Sequence, residues 1–408
     1  MGSTLSPAPA SRFGVYVHFP YCLSKCSYCD FASVAATRIP HRAYARAIAK
    51  ELALRAKEHG RPPGGVESLY FGGGTPSLWE PACVEATIGV VDRLFGLAPD
   101  CELTLEANPG ASDSLRFGKL RKAGITRLSI GVQSFHPKAL AALGRRHSGS
   151  EAIAAVARAQ DAGFGSVSVD LIFGAPGQTP GMARADATRA VALGVQHVSC
   201  YGLTLEGLAQ DVRLAKDVRR GRVEVPDDAA QAHMGHSVRQ IFEEAGLARY
   251  EISNFARDGH ESRHNCLYWL GREYVAAGCG AHGFRPTAGG GVRYDNPRTP
   301  QAYLAAIAGE GAPELSREEL SREELFTERL FLGLRLAAGF DLDEAVAATV
   351  GELPVATREA IERLVTGGLL EREGPRLRCT PRGLDFHTEV AVRLMPGKAA
   401  TRQLPVVP

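Results

Sequence analysis

His18-Phe-Pro-Tyr-Cys22-Leu-Ser-Lys-Cys26-Ser-Tyr-Cys29-Asp30 places three cysteines in a CxxxCxxC loop. Three thiolates are one short of a closed metal site. A structural zinc ion completes its tetrahedron with a fourth Cys or His, and an electron-transfer [4Fe-4S] cluster takes four cysteines. On such a cluster, three cysteines leave one iron free to bind something else. The competing readings are a zinc knuckle completed by His18 and thiols that hold no metal.

Around this loop the chain alternates strand-like and helix-like stretches. Residues 14–19, 67–71, 102–106, 127–132, 166–173 and 197–205 are β-branched or alternating apolar runs. Helical patterns cover 41–59 before Gly60, a stretch that Ser112 caps and Gly124 ends, 150–162 before Gly163, and 228–245 before Gly246. Six strand-helix repeats imply parallel strands joined by crossover helices, and a closed or partial (β/α) barrel. In such barrels the chemistry sits at the C-terminal ends of the strands. The cysteine loop directly follows the first strand.

The end of the second strand reads Tyr70-Phe-Gly-Gly-Gly-Thr-Pro-Ser77. Consecutive glycines expose backbone N–H and C=O groups and let a ligand approach closely, although alone they mark only a tight turn. Later strand ends carry Glu106, Gln133, Arg145 and Asp170 among apolar neighbours. A buried carboxylate is costly unless it is paired or faces a ligand or water. Each of these groups alone fits a core ion pair; four on successive strand ends fit one pocket better, with Arg145 suited to a carboxylate.

These segments resemble, in order and spacing, the oxygen-independent coproporphyrinogen III oxidase-like family of radical S-adenosylmethionine (SAM) proteins. The resemblance rests on YVHFPYCLSKCSYCDF at 16–31, YFGGGTPS at 70–77, LEANP at 105–109, RLSIGVQSF at 127–135, LGRRH at 143–147 and VDLIFGAPGQT at 169–179. It continues with YGLTLE at 201–206, YEISNFA at 250–256 and HNCLYW at 264–269. The resemblance implies a radical SAM partial (β/α)6 barrel with a [4Fe-4S] cluster on Cys22, Cys26 and Cys29. It further implies that Tyr16, Tyr28, Gly73, Gly74, Thr75, Glu106, Gln133, Arg145 and Asp170 line SAM sites. In the family, the free iron chelates the amino and carboxylate groups of SAM, and an electron donor reduces the cluster.

Two departures choose the branch. The oxidase pattern is CxxxCxxCxC, and its last position here is Phe31, as in HemW-type haem chaperones. His264-Asn-Cys-Leu-Tyr-Trp269 resembles the HNxxYW motif of that branch, which makes His264 a candidate axial haem ligand. The expected partners are haem and acceptor haemoproteins such as respiratory enzymes. The alternatives are radical decarboxylation of coproporphyrinogen III propionates and action on another tetrapyrrole.

Composition agrees with a large core and two units. The chain has 408 residues, 45% hydrophobic and 23% charged, with net charge +2, which argues against a nucleic-acid-coating surface. Six cysteines besides the clustered three are scattered, as in a reducing compartment. No stretch approaches the length of a membrane span, and the N-terminus lacks a signal-peptide core, so a cytoplasmic protein is expected. Met1-Gly2 with Ser6 matches a short acylation pattern, but residues 1–11 are read as a flexible tail. The barrel is expected over 12–297 and a mostly helical, winged-helix-like domain over 298–395, before a second flexible tail at 396–408. Helix 357–366 there carries balanced charge, which favours a packing or lid module over a DNA-binding one.

Overall fold

The computed structural model describes residues 13–205, 212–309 and 311–395; both expected tails lie outside them. Six parallel strands follow one another across the sheet: β1 Phe13–Phe19, β2 Val66–Gly73, β3 Leu97–Ala107, β4 Arg127–Gln133, β5 Ser166–Phe173 and β6 His197–Gly202. β7, Glu273–Ala277, adds to the outer side of β1, also in parallel. The antiparallel strands β8 (His282–Thr287), β9 (Gly290–Asp295) and β10 (Ser316–Ser321) extend that edge, and Asn254–Ala256 with Ala248–Arg249 extends the other. Because β1 lies between β2 and β7, and β6 between β5 and Asn254–Ala256, the sheet stays open as a partial barrel.

The side-chain alternation of a strand decides what fills each face. On β1, Phe13, Val15, Val17 and Phe19 are buried in the main core beneath the helices. The intervening Tyr16 and His18 point to the concave side. On β2, Leu69 and Phe71 enter the same core while Ser68, Tyr70 and Gly72 face inward. The concave face is therefore polar and aromatic, and the convex face is a continuous apolar layer. Burial of each large apolar side chain in that layer contributes roughly 1.5–3 kcal/mol.

Helices His41–His59 and Asp228–Glu244 run as the pattern predicts, and Ser148 begins Gly149–Asp161 with a reciprocal capping box to Glu151. The stretch assigned to a Ser112-capped helix differs. It forms two short helices, Ala111–Ser114 and Phe117–Lys122, and Gly110 rather than Ser112 is the first cap. A tertiary tie accompanies the break: Arg116 donates from Nη1 to the Leu78 carbonyl at 2.7 Å.

Helix Pro300–Ala308 packs on His41–His59, with Tyr303 buried in the main core, and β10 pairs with β9. By packing, we place the start of the smaller unit near residue 322, although sequence character changes near 298. Its core holds Phe326, Leu330, Phe340, Ile361, Leu364 and Leu377. A three-stranded sheet of Phe340–Asp341, Arg376–Cys379 and Leu370–Glu373 lies beside helix Val355–Thr366, a winged arrangement. That helix exposes Arg358, Glu359, Glu362 and Arg363, two charges of each sign. No helix among the described residues is long and apolar enough to cross a membrane.

Candidate cofactor site at the barrel mouth

The cysteine loop is pinned at its neck and at its tip. Tyr21–Cys22 pairs with Val34–Ala35, closing the neck, while Ser27 donates to the Leu143 and Ala142 carbonyls and accepts from Leu214 N–H at 2.8 Å. Each cysteine has a polar neighbour suited to a thiolate. Thr75 Oγ1 donates to Cys22 Sγ and Arg145 Nη1 to Cys26 Sγ, both at 3.4 Å, and Ser33 Oγ lies 3.6 Å from Cys29 Sγ. Burial pushes Cys22 up to about 11 and raises Cys29, so without a metal these thiols stay protonated. A coordinating metal reverses that preference. His18 does not complete a zinc site: its ring nitrogens bond Tyr16 Oη and the Ala32 carbonyl. All nine cysteines are free.

The three glycines are required by close approach. A Cβ on Gly73, whose φ is +112°, would lie 2.5 Å from the His18 ring, and one on Gly74 would lie 2.8 Å from the Pro20 backbone. Gly74 N–H bonds the Phe19 carbonyl and Thr75 N–H the Tyr21 carbonyl, so the glycine turn and the cysteine loop are stitched together. Gly73 N–H also donates to Glu106 Oε2 at 3.1 Å, and Tyr70 Oη donates to Oε1 at 2.8 Å. Burial, with Asp170 nearby, still pushes Glu106 up to about 7. Asp170 is likewise raised by burial and accepts from Ser129 Oγ at 2.9 Å.

Arg145 crosses the mouth. It bonds Asn108 Oδ1 at 2.6 Å and the Gly131 carbonyl at 2.5 Å, while its Nε is buried with no partner. Asn108 in turn donates to Thr75 Oγ1 at 2.9 Å, completing a chain from Arg145 to Cys22. Sequence reasoning passed over Asn108, although it sits two residues beyond Glu106 in the same strand-end motif. Gln133 is the only non-glycine residue with positive φ (66°) among the described residues, at a register break in β4. Such strain persists where the surroundings enforce it, and often at ligand sites. Tyr28 packs against the apolar group of Ile172, Leu203 and Leu214, and burial raises its phenol. Tyr16 lies deeper, bonded to His18 Nδ1 and touching the space above Gly72.

His264 requires a correction. It is 1% exposed, with Nδ1 on Ser68 Oγ at 2.7 Å and Nε2 on Tyr268 Oη at 2.8 Å, and it stacks on Tyr70 with centroids 5.0 Å apart. Burial pushes its imidazole down to about 3. Both nitrogens are occupied inside the barrel, so this ring is not placed to ligate haem. The neighbouring Tyr268 and Trp269 are buried as well, in a cluster with Leu336.

The site fits the group that its donors suggest. Three thiols with hydrogen-bonding neighbours adjoin a glycine cradle, two raised carboxyls and a guanidinium with an unused buried N–H, which is the donor set for a cluster and a zwitterionic ligand. A cleft of about 410 Å³, lined by Lys25, Cys26, Cys29, Arg146 and Arg213 among others, opens the outer side of the loop.

Comparison with known proteins agrees. Residues 16–190 match the radical SAM superfamily and residues 320–386 the HemN C-terminal domain. The heme chaperone HemW of Mycobacterium tuberculosis is 39% identical over 383 residues, 93% of this chain and 94% of that protein. The chain belongs to the HemW-type branch of the radical SAM family. The mitochondrial radical S-adenosyl methionine domain-containing protein 1 of Bos taurus is 38% identical over 94% of this chain and 87% of its own length. Coproporphyrinogen III oxidase of Escherichia coli has the same fold, with a TM-score of 0.78 at 19% identity over 96% of this chain and 91% of that one. The partial barrel and smaller C-terminal unit predicted from sequence are therefore the observed architecture.

Proposed function

We propose that this HemW-type protein carries haem to acceptor haemoproteins, respiratory enzymes among them, in the cytoplasm. It would do so with a [4Fe-4S] cluster on Cys22, Cys26 and Cys29 and SAM at the barrel mouth. The observation that carries the choice against the oxidase is Phe31. It stands where the oxidase pattern has its extra cysteine, and it is 50% exposed beside the loop. An apolar ring there offers surface to a flat hydrophobic cargo and has no proton to transfer.

The cluster, when bound, supplies one electron and an open iron. The chain's own groups do the rest. Gly73 and Gly74 leave room for the methionine end of SAM, and Glu106 and Asp170 accept from its amine or ribose hydroxyls. Gln133 offers an amide, and Arg145 offers a guanidinium to its carboxylate. Tyr28 and Tyr16 close the apolar flank and floor, and Thr75 and Arg145 steady the thiolates.

The test is anaerobic reconstitution followed by parallel assays for haem retention and for coproporphyrinogen III oxidation with SAM and a reductant. Retained haem, transferable to an apo-haemoprotein, with no protoporphyrinogen formed is the expected result. Stoichiometric protoporphyrinogen overturns the choice.

A further inference from the structure

Carrying haem calls for an iron ligand, an apolar surface and a cation for a propionate, and with His264 sealed in the barrel another ligand is needed. Most imidazoles are spent. His18 and His197 use both nitrogens, and His147 and His387 are buried on backbone carbonyls. His59 pairs with Glu273 and His236 with Arg239, while His41 and His136 accept from backbone amides. His260 bonds through its carbonyl to Arg127, the first residue of β4, so it sits at the end of the barrel away from the cysteine loop. His233 is exposed on helix Asp228–Glu244, on the outer surface.

His282 differs from all of these. It is the exposed first residue of β8, at the mouth, directly after the turn that follows β7. That turn is built against the cysteine loop, since a Cβ on Gly280 would collide with the Ala32 methyl. Two backbone bonds, Gly280 N–H to the Pro297 carbonyl and Asn296 N–H to the Ala281 carbonyl, tie it to the segment that carries Arg298. Arg298 is exposed and donates from Nη2 to the Asp30 carbonyl at 2.9 Å. Asp30 and Ala32 flank the half-exposed Phe31. Three side chains of different chemistry are thus tethered around one stretch of loop: an imidazole, an aromatic ring and a guanidinium.

We propose that haem docks on this patch, with His282 as axial ligand, Phe31 against the porphyrin face and Arg298 paired to a propionate. The proposal rests on the haem-carrying reading and gives it a location. Partial burial holds the imidazole below its ordinary range, against the opposing pull of Asp295 and with Arg298 and Arg293 adding to it, so the ring is neutral and keeps a lone pair for iron. Guanidinium and carboxylate suit each other geometrically, and the remaining N–H groups of Arg298 leave it able to hold a second partner. The patch adjoins the cysteine loop without using its thiols, so the cluster and haem can be held together.

The experiment titrates the full-length reconstituted chain with ferric haem and follows the Soret band and the low-spin electron paramagnetic resonance signal, with iron and sulfide content as the check on the cluster. His282→Ala should weaken haem binding by about tenfold or more and remove the histidine-ligated spectrum. In His282→Gly, added imidazole should restore that spectrum. Arg298→Ala should weaken binding less and leave the spectrum in place, while His233→Ala should bind as the unaltered chain does. Unchanged binding and spectrum in His282→Ala overturn the site, as does a loss that imidazole fails to restore in His282→Gly. Failure of the unaltered chain to bind haem overturns the haem-carrying reading itself, a result distinct from either of these.

Discussion

Two buried polar clusters lie on either side of β1, and they are finished to different degrees. Behind β7, Glu51 accepts from Arg55, Asn296, the Gly278 N–H and Tyr303 Oη, at 2.8–3.4 Å. Arg55 also bonds Glu314 at 2.5 Å and Asn296 at 3.3 Å and lies 3.5 Å over the Tyr294 ring. Nearly every charge there has its complement, and the cluster ties helix His41–His59 to the sheet. At the mouth, by contrast, Arg145 Nε lacks a partner, Glu106 is held near neutral, and Gln133 is strained. A buried charge with a full set of partners holds the fold together; the capacity left over at the mouth, where an open guanidinium N–H, a raised carboxyl and a strained amide adjoin one another, is what the proposed SAM would take up.

The largest expected effect tests the mouth. Replacing Cys22, Cys26 and Cys29 together with Ser should abolish iron and sulfide incorporation and the broad visible absorbance of the reconstituted protein. The same change at Cys83 and Cys379 should leave them intact, and a full cluster in the triple variant would dissolve the contrast. The knot behind β7 should respond in stability instead. Glu51→Ala removes the shared acceptor of Asn296, Tyr303 and the Gly278 N–H and leaves Arg55 with Glu314 as its remaining close carboxylate, and should cost about 3 kcal/mol in denaturant unfolding, with cluster loading per folded molecule unchanged.

Glu106 sharpens the comparison through pH. An acid whose folded pKa lies above its unfolded value favours folding below the unfolded pKa and loses that advantage as pH rises through the folded one. Its contribution to stability should therefore fall between about pH 4.5 and about 7, by on the order of 3 kcal/mol. Glu106→Gln should flatten that slope while weakening SAM binding, measured by calorimetry. A slope that survives the substitution would place its origin elsewhere, with Asp170 the next group to change. The smallest effect belongs to Gln133→Gly, which should raise stability by about 1 kcal/mol through relief of positive φ while lowering SAM affinity. Loss of stability there would mean that the amide supports the fold.

The six strands and the cysteine loop were legible because their signals are local. Period-two alternation marks a strand wherever it packs, and CxxxCxxC sets three thiols within eight residues. The Ser112 cap and the character of His264 were not legible, because each depends on partners far away in the chain. Arg116 reaches back to Leu78, and His264 is closed in by Ser68 and Tyr70 on β2. Nothing in HNCLYW itself distinguishes a sealed imidazole from an open one. Asn108 escaped notice for the same reason, since its partners Thr75 and Arg145 lie 33 and 37 residues away.

By itself, the sequence determined the barrel repeat, the three-thiolate donor set, the glycine turn beside it and the branch marked by Phe31. The first three follow from residue type and spacing within one or two elements, and the last from the family resemblance that those segments carry. Only the tertiary structure decided that helix Pro300–Ala308 and β10 pack with the barrel, that His264 is spent inside it, and that the loop carrying Phe31 is tethered to the segments carrying His282 and Arg298 at its mouth. Burial and hydrogen-bond occupancy are set by the sum of packed neighbours, and no single segment of chain contains that sum.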